Sequence, residues 1–188
     1  MQRCSRTGKK MRYIAFLRGI NVGASTKVSM PRLKACFKLS GLEEVRTYIN
    51  SGNVIFSSKE DIELNLRKKI ERAIEHEFGV AIPTLVVSAV RLRDISEAIE
   101  TNWRNNSDQK TDVIFLFDDV DPQKAIQNIE TSPGIDELIA VENAIIWHIE
   151  RKNYAKSGMH GFIKNPLYKK STTRNCNTVR KLDGFLRG

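Results

Sequence analysis

Residues 13–21, YIAFLRGIN, and residues 47–56, TYINSGNVIF, decide the fold of this chain. The first stretch begins with five apolar residues and then becomes polar, which is typical of a central strand that is buried on both faces and ends in a loop. The second stretch contains two short strand patterns joined through Ser51-Gly52, a two-residue turn of the kind that closes tight hairpins. We therefore expect facing strands whose ends carry polar loops.

The segments around these strands complete an α+β pattern. Ser29 and Pro31 indicate the start of a helix, and Ser58 with Asp61 is close to a capping box that would open a second helix. Gly79 would end the second helix, as glycine commonly does just past a helix C-terminus. A further strand then gives the order βαββαβ, which is the plan of ferredoxin-like domains.

A similar order of elements returns in the second part of the chain. A strand and a helix precede a predicted hairpin of strands 137–141 and 144–150. Glycines and a proline predict an irregular element over 154–170. Thr172 or Thr173 would then cap a last helix.

The predicted fold class is therefore α+β, with two ferredoxin-like halves of βαββαβ type in tandem. We expect the two halves to agree in element order only, without an aligned residue motif. The predicted segments are a disordered basic extension at 1–10, a first ferredoxin-like half at 11–90, a connecting helix and loop at 91–110, and a second ferredoxin-like half with a basic C-terminal helix at 111–188.

The net charge of +9 conceals a separation of charge along the chain. Residues 1–50 contain 11 Lys or Arg and 2 acidic residues, and residues 151–188 contain 10 and 1. The middle of the chain, residues 51–150, contains 10 Lys or Arg and 19 acidic residues. The basic ends could pack against the acidic middle, or they could present one basic surface to an anion.

Composition also bounds the class of protein. The longest apolar runs are far shorter than the roughly 20 residues that cross a bilayer, so we expect no membrane contact. Three widely spaced cysteines without a CxxC pair predict a reduced, cytoplasmic protein. Three histidines without ligand spacing predict no metal site, and the Walker and dinucleotide glycine patterns are missing, so we expect no cofactor.

Three motifs, LRGINVG at 17–23, TYINSGNVIF at 47–56 and TTRNCNTVRKL at 172–182, stand far apart in this one chain. Together they resemble the uncharacterised bacterial family known as domain of unknown function 1697, over nearly everything from residue 11 to about residue 186. The resemblance implies an α+β fold of two ferredoxin-like halves and a bacterial cytoplasmic protein. It implies no activity.

The chain departs from the family pattern at two positions. Gly23 is followed by Ala24 where members commonly have a second glycine, and Cys176 stands where members often have Trp. If that Trp stacks on a ligand in the family, this chain would bind the ligand differently. If it is a core residue, its neighbours would fill the space.

Polar residues at the strand ends of the first half are candidates for ligand binding. The first motif could form a cradle for a phosphate or carboxylate from backbone N–H groups and a guanidinium, and the hairpin amides could hydrogen-bond a ligand. The alternative is structural, with the arginine paired to an acid and the polar side chains bonded to turn backbone. The candidates are Arg18, Asn21, Gly23, Asn50, Ser51 and Asn53.

The third motif supplies a second candidate set, Thr173, Arg174 and Asn175. If a helix begins here, its unpaired N–H groups and its dipole would attract an anion. An arginine beside these N–H groups is easier to explain when an anion or a protein carboxylate lies next to it.

Residues 152–170 contain five lysines interleaved with Tyr154, Phe162 and Tyr168. Lysines for phosphates and rings for stacking are typical of a nucleic-acid-binding segment. A solvated basic face whose rings pack inward would have the same composition.

The leading hypothesis is a protein that binds an anionic ligand, a nucleotide or nucleic acid, through basic and Asn-rich loops. One alternative is a small enzyme that acts on a phosphorylated or carboxylated metabolite, and another is a protein-interaction module whose motifs are purely structural. Sequence offers no clear nucleophile and base, because Cys176 is expected in the core and His148 alternates with Trp147 in a strand. Whether the protein is an enzyme is left open.

Overall fold

The structure is a computed structural model and describes residues 10–23, 26–117 and 120–187. The predicted disordered extension at 1–10 lies outside these residues except for Lys10. The chain divides into two compact units, with the boundary between Ala89 and Val90.

The first unit has the βαββαβ order that the sequence predicts. Its sheet has the strand order β2-β3-β1-β4, with every neighbouring pair antiparallel. The elements are β1 (Met11–Leu17), α1 (Met30–Leu39), β2 (Glu43–Tyr48), β3 (Asn53–Ser58), α2 (Glu63–Phe78) and β4 (Thr84–Ser88).

The second unit repeats this topology with one difference in secondary structure. Its sheet order β6-β7-β5-β8 is equivalent to that of the first unit, and three 3-10 turns replace the second helix. The elements are α3 (Ala89–Glu97, of which Ala89 precedes the boundary), β5 (Gln109–Leu116), α4 (Pro122–Ile126), β6 (Glu137–Val141), β7 (Ala144–Glu150), the turns Arg151–Lys156, Gly158–Lys164 and Pro166–Lys170, β8 (Ser171–Asn175) and α5 (Cys176–Arg187). The predicted fold class, α+β with two ferredoxin-like halves, is confirmed.

Both units close the end of their first strand in the same way. In the first unit, Leu17 N–H donates to Gly52 O (2.8 Å) and Arg18 N–H donates to Pro83 O (2.9 Å). In the second unit, Leu116 N–H donates to Asn143 O (2.8 Å) and Phe117 N–H donates to Lys170 O (3.0 Å). The end of the first strand of each unit is therefore fixed between a hairpin turn and the residue that precedes the last strand of that unit.

The core of the first unit forms where α1 and α2 cover one face of the sheet. Tyr13 and Phe56 stack with centroids 5.6 Å apart, and Phe37 of α1 meets Phe56 edge-on. From α2, Leu66 and Ile70 complete this cluster. Burial raises the pKa of Tyr13 to about 12, so its hydroxyl stays protonated.

In the second unit, one face of the sheet packs under α4 and the 3-10 turns. Trp147 is fully buried there and meets Phe162 edge-on, with centroids 5.5 Å apart. On the other side, α5 packs on β5 and β8 and buries Cys176 completely. This unit thus has helical structure on both faces of its sheet.

Two predicted local details are wrong. The first hairpin turn comprises 49–52 rather than two residues, since the last strand pair is Tyr48 with Asn53. Gly52 has φ +75°, and a Cβ there would lie 2.8 Å from Leu17 Cβ, so the close approach of β1 requires glycine. In addition, α2 is not opened by a capping box, because Ile62 occupies the N-cap position without a side-chain cap.

The predicted start of the last helix is also wrong. Thr172 and Thr173 lie in β8, where they pair with Phe115 and Ile114. The helix begins at Cys176, and Asn175 Oδ1 accepts a hydrogen bond from a main-chain N–H of its first turn. Thr172 and Thr173 are β-branched, which favours the edge strand β8. Asn175 then caps the helix.

Candidate anion-binding site

The loop after β1 is organised by Asn21, which has φ +55°. Its Nδ2 donates to Val28 O (2.9 Å) and Asn50 O (3.0 Å), and its Oδ1 accepts from Val28 N–H (2.8 Å). The side chain therefore ties the first motif to the hairpin of the second motif. Arg18 lies half-buried at the end of β1, and Gly23 lies in the exposed part of the loop with φ +52°.

The hairpin candidates differ in their access to a ligand. Asn53 is fully buried, and its Nδ2 donates to Tyr48 O (3.1 Å) and Ser51 Oγ (3.0 Å). Asn50 is exposed and Ser51 is half-buried. Of these polar side chains, those of residues 50 and 51 are the ones with solvent access.

The second candidate set lies in β8 rather than at a helix start. Arg174 is 8% exposed, and its Nη1 donates to Thr172 Oγ1 (3.0 Å) and Thr173 O (2.8 Å). Burial lowers the pKa of Arg174 to about 10, which still leaves the guanidinium charged at neutral pH. Asn175 is engaged as the cap of α5. Ligand contact by Thr173, Arg174 and Asn175, and by the candidates of the first unit, stays a prediction.

A basic groove in the second unit was not anticipated from the sequence. It lies between α3, the loop after α3 and the outer face of α5, and its volume is about 800 Å³. We call it the α5 groove. Its polar lining includes Glu97, Arg104, Asn177, Arg180, Lys181 and Arg187.

Main-chain carbonyls hold two of the cations of the α5 groove. Arg180 donates through Nη1 to Trp103 O (2.8 Å) and through Nη2 to Glu100 O (2.9 Å). Arg104 donates to Trp103 O (2.9 Å) and to Thr101 O. Carbonyl oxygens orient these guanidinium groups but do not neutralise them, and within the described ranges neither group forms an ion pair with a carboxylate.

The other two cations of the groove differ from each other. Arg187 Nη2 pairs with Glu97 Oε1 (2.7 Å) and with Asp183 Oδ2 (2.8 Å), so its charge is compensated. Lys181 is exposed, and its Nζ lies 5.2 Å from the ring centroid of Phe185. The uncompensated charge therefore concentrates around positions 104, 180 and 181.

Two buried polar side chains, those of Thr111 and His148, hold the loop that carries Arg104. Thr111 donates its single hydroxyl hydrogen to Arg104 O (2.9 Å), so Nδ1 of His148 is the donor in its 2.7 Å bond to Thr111 Oγ1. The His148 ring stacks on Trp103 at 4.6 Å and 5°. Burial lowers the pKa of His148, which favours the neutral ring.

The two cysteines that the structure describes are buried. Burial raises the pKa of Cys176 and of Cys36, which favours the unreactive thiol. In the described part of the chain, no three His, Cys, Asp or Glu side chains are grouped as a metal site would need. None of the helices that the structure describes is long and apolar enough to cross a membrane.

Sequence reasoning missed Arg104 and Arg180 because their proximity depends on the fold. The donor Arg180 and the acceptor Trp103 are 77 positions apart in the chain. A weak signal existed, since Arg180 lies in the third motif and Arg104 lies in the Asn-rich loop after α3. Neither stretch alone shows that the two arginines share one groove.

The sequence profile of the family described as "Protein of unknown function (DUF1697)" matches residues 11–147. Among solved structures, the conserved bacterial protein SP0830 from Streptococcus pneumoniae is similar, with 27% sequence identity and a TM-score of 0.81. The alignment covers 95% of this chain and 99% of that protein. None of the curated proteins matches the chain.

Proposed function

The chain belongs to the protein family of unknown function DUF1697, and we propose that it binds a phosphate-bearing ligand, a nucleotide or nucleic acid, in the α5 groove. One observation carries this proposal. Arg104 and Arg180 are fixed by main-chain carbonyls in a groove where their charge is not compensated.

The fixed guanidinium groups suit a phosphate for two reasons. A guanidinium presents N–H donors in a planar fork that matches phosphate oxygens, and its remaining donors are available after one edge has bonded to carbonyls. Because the backbone already orders Arg180, less side-chain entropy is lost when a ligand binds. Exposed Lys181 and Asn177 add a point charge and an amide at the same surface.

Shape and charge together favour an extended anion. The volume of about 800 Å³ is within the range of roughly 300 to 1,000 Å³ that ligand sites occupy, and the groove is wide open to solvent. Four cationic side chains face a single lining carboxylate, Glu97. A chain of phosphates could lie along such a groove without being enclosed.

Binding is favoured over catalysis by the state of the reactive side chains. Burial raises the pKa of the Cys176 thiol and lowers the pKa of the His148 imidazole, so it favours the neutral form of each group. A nucleophile needs an exposed thiolate or an adjacent base that can reach the substrate.

The proposal is tested with fluorescent ATP and a fluorescent oligonucleotide at about 50 mM salt, where phosphate contacts are strong. Arg104→Gln, Arg180→Gln and Lys181→Gln are combined in one groove variant. The matched control removes the same charge from exposed lysines of the first unit, as Lys34→Gln, Lys38→Gln and Lys68→Gln.

We expect the groove variant to bind at least about tenfold more weakly, because the three cations would contribute about 0.5 kcal/mol or more each. The control should stay within about twofold of the wild type. Equal losses in the two variants would show that binding follows net charge alone. No measurable binding by the wild type would show that the proposal is wrong.

We also propose that the protein works in the cytoplasm. Cys36 and Cys176 are both free and buried in the structure, which is the usual state of thiols in a reducing compartment. Fractionation of cells that express the tagged chain would test this, and recovery outside the cytoplasmic fraction would contradict it.

A further inference from the structure

The three 3-10 turns over Arg151–Lys170 form a strongly basic surface, which we call the basic 3-10 segment. It contains six Lys or Arg and no Asp or Glu. All six Lys and Arg residues are exposed. Lys152 pairs with Glu150 Oε2 at 2.7 Å.

The fold holds this segment firmly in place although it lacks an α-helix. Asp136 binds the start of the middle turn: Oδ1 accepts from Ser157 Oγ, and Oδ2 accepts from Gly158 N–H (3.1 Å). Just after the middle turn, Asn165 Nδ2 donates to Asn128 O (2.9 Å). Between these anchors, the side chains of Met159 and Phe162 are buried in the core of the second unit.

At Gly158, the backbone of the segment lies so close to another part of the backbone that glycine is required. A Cβ on Gly158 would lie 1.7 Å from the carbonyl oxygen of Glu130, so no other residue fits this position without moving the chain. The backbone of the segment is therefore packed closely against the residues that follow α4.

Two tyrosine rings lie on this surface with part of each ring open to solvent. Tyr154 is 38% exposed and meets His160 edge-on, with centroids 5.4 Å apart. Tyr168 is 37% exposed and meets Phe162 edge-on at 6.0 Å. An edge-on neighbour restricts each ring, and the exposed part of each ring is available to a flat group.

From this combination we infer that the basic 3-10 segment binds single-stranded nucleic acid, with lysines on the phosphates and unpaired bases stacked on Tyr154 and Tyr168. The inference rests on the proposed function for the class of ligand, but it uses side chains outside the α5 groove. It selects single strands because the bases of a duplex are already stacked and cannot lie on a protein ring.

The composition of the surface favours this partner over the other anionic ones. A phospholipid headgroup would use the lysines but not the rings. An acidic protein segment would not need partly exposed tyrosines among the lysines. Aromatic rings interleaved with cations bind strands without sequence preference, since every base has a stacking face.

The test compares Tyr154→Ser/Tyr168→Ser with Tyr154→Phe/Tyr168→Phe, which keeps both rings. Each variant is first checked for a wild-type unfolding midpoint. Binding is then measured to oligothymidylate of about 16 nucleotides, to a duplex of equal length, to ATP, to polyglutamate and to phosphatidylserine-containing vesicles.

We expect the serine variant to lose about fivefold or more in affinity for the single strand, because stacking contributes about 1 kcal/mol or more per base. The phenylalanine variant should bind like the wild type. ATP binding should be unchanged in both variants, since the α5 groove is intact.

Four results would overturn the inference: equal single-strand binding by the serine variant, equal loss in the phenylalanine variant, tighter binding of the duplex, or tighter binding of vesicles or polyglutamate. If the groove variant loses binding while the serine variant does not, this inference alone fails. If the wild type binds neither ATP nor any nucleic acid, the proposed function fails as well.

Discussion

Replacing Asp136 by alanine should destabilise the second unit more than any other single carboxylate substitution. Oδ1 accepts from Trp147 Nε1 (2.8 Å) and Ser157 Oγ, and Oδ2 accepts from the N–H groups of Ser132 (2.7 Å) and Gly158 (3.1 Å). A hydrogen bond to a charged group contributes about 1.5 to 3 kcal/mol when buried, and Asp136 is half-buried, so we take about 1 kcal/mol each. Asp136→Ala should then cost about 4 kcal/mol, and Asp136→Asn, which keeps one acceptor oxygen, about half as much.

Tryptophan fluorescence in a urea titration reports this loss directly. The chain has two tryptophans, Trp103 and Trp147, and both are buried in the second unit. The matched control is Asp121→Ala, which removes an exposed carboxylate that caps α4 and should cost about 1 kcal/mol. The reasoning is refuted if Asp136→Ala costs less than about 1 kcal/mol or no more than the control.

The contribution of Asp136 should also depend on pH. Burial raises the pKa of Asp136, but the bonds from Ser157, Ser132, Trp147 and Gly158 together outweigh burial and lower it. The folded state therefore releases the proton more readily than the unfolded state, so the stabilisation is present above the unfolded pKa of about 3.9 and is lost as pH falls through the folded value. The difference between wild type and Asp136→Asn should shrink on going from about pH 5 to about pH 3.

Two further substitutions test the packing of each unit. Gly52→Ala should destabilise the first unit more than Gly23→Ala does, and the difference should be about 2 kcal/mol or larger. Both glycines have positive φ, but only at Gly52 would the added Cβ meet Leu17. Thermal unfolding measures the difference, and equal shifts in the two variants would contradict the prediction. Burial lowers the pKa of His148, so its contribution to stability is complete above the unfolded pKa of about 6.5 and is lost as pH falls. The acid sensitivity of the urea midpoint of the second unit between about pH 7.5 and pH 5.5 should decrease in His148→Gln, and an unchanged sensitivity would contradict this.

Much of the fold follows from local patterns in the sequence. The sequence predicts strands 137–141 and 144–150 for the second hairpin, and both strands have these bounds in the structure. The turn between them contains Asn143 with φ +58°, a conformation that asparagine adopts more readily than most residues. Two short apolar runs around one turn residue are enough to define such an element.

The end of the chain was harder to predict because two rules compete there. Thr172 and Thr173 are good N-cap residues and also good strand residues. Both threonines adopt the strand conformation because they pair with β5, a segment more than 50 residues away in the chain. Asn175, two residues later, supplies the cap.

The α5 groove could not be predicted at all from local pattern. It depends on how the loop after α3 lies against α5, and this arrangement is fixed by the Trp103–His148 stack and by the bonds of Arg180 to main-chain oxygens. The sequence shows the excess of positive charge but not which cations are left without a carboxylate.

The most direct test of phosphate binding in the α5 groove is the salt dependence of oligothymidylate binding. The logarithm of the association constant is measured against the logarithm of salt concentration for the wild type, for the Arg104→Gln/Arg180→Gln/Lys181→Gln variant and for the control with three lysines removed from the first unit. If the three groove cations contact phosphates, the slope of the groove variant should be less steep by about 2, and the slope of the control should be that of the wild type. An unchanged slope in the groove variant would contradict the proposed function.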